Sequence, residues 1–428
     1  MTFERSRIAD PSLAPEGQQA IEWARQRSPV LDGFVRRRLT EDGSLRGRRV
    51  AVVVHLEAKT AFLATVLADA GAEVIVAGSN PWTTRDEVAA ALVERGIEVH
   101  STRGATQEMW EVDLVAVAES GPEYIIDDGA ELTVRIARDR PNLYAELQGV
   151  SEETTTGVAR LRALESRDEL PMPAIAANDA ACKHMFDNRY GTGQSTLQAI
   201  LSLTNLRLPG KRVAVIGYGW VGRGIANYTH ALGGRVVVVE TDPVRALEAL
   251  SDGHDVADMM TAIDGAEIVI TATGGLRAVS DDHIDVLGDS VVLANAGHHD
   301  LEIDTPALAT RSSDVTEVRP GVSRYLIDGA RPVYVLSEGA LVNIAGGMGH
   351  PVEIMDLSFS VQALGCHLLV TGDLDPGVHE FPSHLDREIA TAKLASRGIR
   401  LDLPREDQSD TLTSILEAES TGRRRNDD

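Results

Sequence analysis

A chain of 428 residues is too long for one ordinary hydrophobic core, so two or three domains are expected. Its 43% hydrophobic and 25% charged residues are those of a globular protein, and a net charge of −24 argues against nucleic acid or an anionic membrane as partner. Two cysteines, Cys182 and Cys366, without a C-x-x-C pair, resemble neither an oxidised framework nor a zinc site, so no metal is expected; one disulfide is possible by count alone. The N-terminus lacks an apolar signal core and no window nears 18 uninterrupted apolar residues, so a cytoplasmic protein without a membrane span is expected.

Residues 1–46 read as helical, most clearly at 18–27. From there the pattern alternates: a strand at 50–54, a helix at 59–70, a strand at 73–77, helices at 84–95 and 109–119, and a short strand at 124–126. Strands separated by helical segments of this length predict βαβ units and a mainly parallel sheet. Ligands of such sheets bind beyond the carboxyl ends of the strands, which points at His55, Asp127 and Asp128.

The segment Ser151-Glu152-Glu153-Thr154-Thr155-Thr156-Gly157 opens a helix to residue 165; its carboxylates and hydroxyls suit a capping cluster as well as a site. Between Asn178 and Ser195 every polar type is mixed. Lys183 and Asp187, four apart, share a face if helical, either as a surface ion pair or as part of a site. Lys211-Arg-Val-Ala-Val-Ile-Gly217-Tyr-Gly219-Trp-Val-Gly222 then reads as a strand opening into a helix with G-x-G-x-x-G spacing. Gly217 allows the tight turn, Gly219 the approach of backbone to a pyrophosphate, and Gly222 close helix–strand contact. A second apolar run ends in Glu240, where a carboxylate holds a ribose diol and repels a 2′-phosphate; NAD is therefore expected rather than NADP.

Helices at 243–251 and 258–263 and strands at 267–271 and 290–294 follow, the strands ending in turns that carry Thr273 and His298. After Asn343 and His350 an amphipathic stretch, 352–371, is expected to return the chain to its first domain. The predicted organisation is a first part of a substrate domain (1–189), a Rossmann domain (190–346), a return to the substrate domain (347–402) and a polar tail (403–428).

Taken together, "HLEAKTAFL", "SNPWTTRDEVAAAL", "IIDDGAELT", "GVSEETTTGVARL", "NDAACKHMFDNRYGTGQST", "GYGWVGRGIA", "NAGHHDLEID" and "LVNIAGGMGHP" resemble the adenosylhomocysteinase (S-adenosyl-L-homocysteine hydrolase) family, in its archaeal and bacterial branch. The resemblance implies two doubly wound α/β domains closing on a cleft, a tightly bound NAD, a nucleoside substrate and a homotetramer or dimer. It also implies a chemistry: transient oxidation at C3′, loss of the C4′ proton, expulsion of the 5′ substituent, addition of water and re-reduction. On this resemblance Lys183, oriented by Asp187 and with a pKa lowered by a nearby cation, accepts the 3′-hydroxyl proton. Glu153 binds the ribose hydroxyls. Asp128 and His55 serve at C4′ and C5′, His298 lies by the 3′ oxygen, and His350 near the base or hinge. Asn188, Asn343 and Thr154 to Thr156 hold the nicotinamide and its ribose, and Glu57 and Lys59 bind the substrate, facing either an amino or a keto group of a purine that the sequence does not reveal.

Two positions depart from the family: Ala340 stands where an arginine is usual, and Arg85 where a glutamine is usual. Either Arg85 substitutes as partner for an amino-acid carboxylate, or the 5′ group is not homocysteine. Alternative readings are therefore dehydration of a nucleoside to a 4′,5′-alkene by the same early steps, or an inactive NAD-binding regulator.

Overall fold

The computed structural model describes residues 5–402, so the expected polar tail lies outside the described residues. The first sheet begins with β1 (Arg49–Val54), β2 (Glu73–Gly78), β3 (Glu98–His100), β4 (Tyr124–Asp127), β5 (Gly149–Glu152) and β6 (Pro173–Ala176). The second contains β7 (Arg212–Ile216), β8 (Arg235–Val239), β9 (Asp255–Val256), β10 (Ile268–Thr271), β11 (Val291–Asn295), β12 (Ser312–Arg319), β13 (Val322–Ile327) and β14 (Arg331–Leu336). Residues Gly377–Glu380 form β15, which pairs with β6 and rejoins the first sheet. The strand orders are β15-β6-β5-β4-β1-β2-β3, parallel throughout, and β12-β13-β14-β11-β10-β7-β8-β9. In the second sheet only the β12–β13 and β13–β14 pairs are antiparallel.

Continuous runs such as Val50–Val54 are apolar at every position because helices cover both sheet faces, so neither side of the strand meets water. The helices Ala58–Asp69, Asp86–Glu94 and Gln107–Glu119 follow the expected segments. The N-terminal segment divides into an α-helix Ala14–Gln26, a π-helix Val30–Val35 and an α-helix Arg36–Asp42.

The helix Val352–Thr371 is long and apolar enough to cross a membrane by length and composition, yet it packs inside the first domain with most of its residues buried. Its fully buried Asp356 accepts from the Val30 and Leu31 amides (3.1 and 2.8 Å) and pairs with Lys393 Nζ at 2.8 Å. One side chain thus ties the N-terminal segment and the last helix, Ser383–Ser396, to the middle of the domain. The carboxyl ends of β1, β4 and β5 face those of β7, β8, β10 and β11 across one cleft.

Candidate active site

The cleft is a cavity of about 740 Å³. Lys183, on the first-domain side, is buried; its Nζ lies 3.1 Å from Asp187 Oδ2 and 3.3 Å from Glu153 Oε1, and donates to Asn188 Oδ1 at 2.8 Å. The four-residue spacing of Lys183 and Asp187 does place them together, although the turn between them is a π-helix, His184–Gly191. Asp187 Oδ2 accepts from Ser358 Oγ at 2.8 Å, and His350 Nδ1 lies 2.7 Å from its other oxygen. Glu153 accepts from Gln362 Nε2 at 2.6 Å. Burial opposes the charge on Lys183, but Asp187 and Glu153 more than offset it and raise its pKa. The expectation of a lowered lysine is thereby corrected: it presumed a neighbouring cation, and two carboxylates stand there instead. Burial, together with Asp187, pushes Glu153 up to about 8, with Lys183 opposing. Asp187 is moved up by burial and farther down by His350 and Lys183, so it stays ionised.

A second group forms around Asp128, which ends the β4 turn. Its Oδ2 accepts from Ser79 Oγ at 2.9 Å and lies 3.4 Å from His55 Nε2; its Oδ1 lies 3.7 Å from His298 Nδ1. His55 Nδ1 is within 2.8 Å of Thr83 Oγ1. Burial lowers the pKa of both imidazoles. For Asp128 the burial effect is upward, and the two histidines, Ser79 and Lys183 outweigh it to give a lowered carboxyl. His298 is therefore a neighbour of His55 and Asp128, and it lines the same cavity as Lys183. The backbone permits this approach: Gly129 has φ +80°, and a Cβ there would stand 2.6 Å from His298 Nε2. The ligand atoms of His55, Asp128 and His298 lie within 4.8 Å of one another, a spacing that would also suit a metal ion.

Adjacent carboxylates take different parts. Asp127 caps the helix Glu131–Asp139 through the Leu132 and Thr133 amides, while Asp128 enters the cavity. Glu152 accepts from the Gly129, Ala130 and Thr154 amides (2.9, 2.9 and 2.8 Å), leaving Glu153 free to meet Lys183. The cluster at 151–157 is thus both a cap and a site.

On the second-domain side Gly217 has φ +100°. A Cβ on Gly222 would fall 1.9 Å from Gly217 O, and one on Gly224 1.9 Å from Arg189 O. The helix Trp220–Ala231 has no side-chain N-cap, so its first amides remain available to a pyrophosphate. A Cβ on Gly219 would meet only Arg245 Nη1, at 3.9 Å, so the cradle stands open. Glu240 accepts from the amides of Tyr218, Thr241 and Asp242; burial pushes its carboxyl up and these amides bring it below the usual range. Thr154, Thr155, Thr156, Asn188, Gly217, Gly219, Glu240 and Thr273 all line the cavity, as do Glu57, Lys59 and His350. Gly222 does not, consistent with a packing role. Asn343 also departs from the lining: it is fully buried, donates to Ser195 Oγ at 3.0 Å and has an Oδ1 without a hydrogen-bond partner. The donors and the open glycine turn fit NAD. Gly222→Ala is expected to lower stability by about 1–3 kcal/mol through overpacking and to weaken NAD retention, to be checked by thermal unfolding with and without added NAD.

Of the supporting residues, Ser358 and Gln362 lie in none of the quoted motifs, and Ser79 and Glu302 lie within motifs whose wording does not single them out. Glu302 is fully buried and accepts from the Thr273 and Gly274 amides (2.9 and 2.7 Å), shaping the turn after β10. Arg85 donates to Gly347 O at 2.5 Å and does not line the cavity, and Ala340 is buried.

Residues 5–141 match the family model described as S-adenosyl-L-homocysteine hydrolase, and residues 188–349 match that of its NAD binding domain. The chain is 46% identical over 410 residues to the S-inosyl-L-homocysteine hydrolase of Methanopyrus kandleri, covering 95% of this chain and 96% of that one. It is 45% identical over 409 residues to the adenosylhomocysteinase of Thermococcus kodakarensis (95% and 97% covered). The chain belongs to the S-adenosyl-L-homocysteine hydrolase family. Similarity extends to bacteria, with 44% identity over 400 residues to the adenosylhomocysteinase of Thermotoga maritima (93% and 99% covered). It follows that the protein is an enzyme of the hydrolase type with NAD as cofactor and a nucleoside-type small molecule as substrate.

Proposed function

We propose that the protein cleaves the thioether of S-adenosyl-L-homocysteine, or of its inosyl analogue, through transient oxidation of the ribose. One observation carries this reading: the Lys183 and Asp128 groups open into the same cavity as the glycine turn after β7. NAD, when bound, would supply a hydride acceptor for C3′ and a positive charge that would oppose the upward pull of Asp187 and Glu153 on the Lys183 pKa. Lys183, held by Asp187 and Asn188, then takes the proton of the 3′-hydroxyl, and Glu153 binds a ribose hydroxyl. With C3′ a ketone, the C4′ proton is acidic and Asp128 removes it. That proton can pass to His55, 3.4 Å away, and on to the sulfur as the C5′–S bond breaks. In the reverse sense His55 takes a proton from the water that adds at C5′. His298, by its position on the other oxygen of Asp128, belongs to this second step. Thr154 to Thr156, Asn188, Gly217, Gly219, Glu240 and Thr273 are the residues that would hold NAD.

A second reading concerns the purine. Lys59 Nζ pairs with Glu57 at 2.8 Å, donates to Met348 O at 3.1 Å, and lines the cavity. An ammonium only donates, so it matches a keto oxygen and has nothing to accept from an amino group. Lys59 would thus read the keto edge of the inosyl substrate named for the relative, while Glu57, which also lines the cavity, can accept from the amino group of the adenosyl one. Purified NAD-loaded protein incubated with each thioether and a thiol reagent tests both readings. Thiol release is the expected result; a nucleoside product lighter by one water, or no turnover with either, would refute hydrolysis. Lys59→Glu should shift the ratio of kcat/KM for the two thioethers toward adenosyl by roughly ten- to a hundredfold, and an unchanged ratio would place purine selection elsewhere.

Self-association is supported by the exposed Val244, Leu247 and Leu250 (73%, 64% and 52% exposed) on the helix Pro243–Ser251, an apolar stripe suited to a second copy. A homotetramer is the expected mass in light scattering, and a monomer would exclude it. A cytoplasmic site is supported by the two buried, free thiols Cys182 and Cys366.

A further inference from the structure

Outside the catalytic cleft, the helices Glu131–Asp139 and Thr155–Glu165 flank a second cavity of about 300 Å³. Over a small apolar floor around Leu164 it is ringed by Arg135, Arg138, Arg160 and Arg167, with Glu131 as the lone carboxylate of the lining. On a chain of net charge −24 the lining itself is basic, with Glu111, Asp139 and Glu169 standing around it as partners of its arginines. Helix C-termini favour cations and so account for Arg138 and Arg167, but not for Arg135 or Arg160, which lie within their helices.

The existing partners of these arginines leave them available. Arg135 lies over the Trp110 ring, 5.6 Å from its centroid, reaches Glu111 only at 3.8 Å, and has its Nε buried without a hydrogen-bond partner. Arg138 pairs with its neighbour Asp139, and Arg167 with Glu169. Exposed pairs of this kind are worth about 0–1 kcal/mol and exchange readily. Arg160 differs: its Nη1 donates both to Glu131 Oε1 and to Gly129 O, each at 2.7 Å, and Gly129 directly follows Asp128. Guanidinium groups bind phosphate oxygens in forked pairs, and a volume at the lower end of small-ligand sites suits a compact polyanion.

We infer that this cleft binds a small diphosphate-bearing ligand through Arg135, Arg138, Arg160 and Arg167, and that its occupancy reaches the Asp128 turn through Arg160. An anion that draws Arg160 away from Gly129 O alters the turn that aims Asp128, and such coupling is reciprocal, so substrate and anion change each other's affinity by the same factor. The inference does not depend on which purine the catalytic cleft accepts.

The test is calorimetric titration of NAD-loaded full-length protein with pyrophosphate at fixed ionic strength, the resident NAD keeping the probe out of the cofactor turn. Saturable binding is expected, weakened at least about tenfold in Arg138→Ala/Arg167→Ala. Those side chains are 67% and 59% exposed, so their removal leaves the core intact. ADP binding as tightly as pyrophosphate would mean that only the diphosphate is read, and tighter binding that the nucleoside is read too; either supports the site. Saturating pyrophosphate should also change the substrate KM of the wild type and not of the double variant. No saturable heat, or equal binding by the double variant, overturns the site; binding with an unchanged KM overturns the coupling.

Discussion

Lys183→Ala is expected to abolish reduction of bound NAD when nucleoside is added, with the rate of nicotinamide absorbance change falling by about 10²–10⁴-fold, the range of a positioned general base. The structure narrows what this variant tests. Lys183 is fixed at 3.1 Å from Asp187 and 2.8 Å from Asn188, so the ammonium is positioned before substrate arrives. Its raised pKa means that the resting site holds the proton, and a base must first lose it. The reduction rate should therefore rise with pH below that pKa. Glu153→Gln removes one of the carboxylates that stabilise the ammonium, which lowers the lysine pKa and should move the rising limb of the profile to lower pH. Lys183→Arg keeps the charge but cannot give up its proton, so it should be as inactive as the alanine variant. Because deleting one partner of a buried ion pair commonly costs about 3–5 kcal/mol, both variants need to retain NAD before their rates are compared. Normal reduction in an NAD-loaded Lys183→Arg protein would place the acceptor elsewhere, Glu153 with its pKa of about 8 being the next group in line.

The parts of this arrangement that are legible in the sequence share one cause. His55, Asp128, Glu153 and Glu240 each directly or closely follow a buried strand, and a parallel sheet delivers such residues to one edge. Lys183 and Asp187 are legible through their spacing. What is not legible depends on long-range contact: Gln362 reaches Glu153 across 209 residues and Ser358 reaches Asp187 across 171, and both sit in a helix whose apolar pattern gives no hint of a site. The strands β3, β5, β6 and β15 have three or four residues, too few for a periodic signal. The β12–β14 meander escapes sequence reading because β12 is exposed almost throughout, although Asp328-Gly329, both with positive φ, is turn chemistry that marks a hairpin. The charge state of Lys183 is hidden for a related reason, since spacing places one carboxylate beside it and only the fold supplies the second.

Asp128→Asn is expected to separate the two halves of the reaction. Nicotinamide reduction should persist within about tenfold, because the Lys183 group is intact, while thiol release should fall by about 10²–10⁴-fold. The amide is nearly isosteric and can still accept from Ser79 Oγ, which now donates to Oδ2 at 2.9 Å, so the turn at Gly129 has no reason to move. What disappears is the ionised oxygen 3.4 Å from His55, and with it both removal of the C4′ proton and its route to the sulfur. Exchange of the C4′ hydrogen with deuterated solvent reads the first loss directly, and should vanish in Asp128→Asn while surviving in His55→Gln, which lacks only the onward step. If exchange instead persisted in the asparagine variant, the base at C4′ would have to be His55 itself, and Asp128 would be the group that orients it.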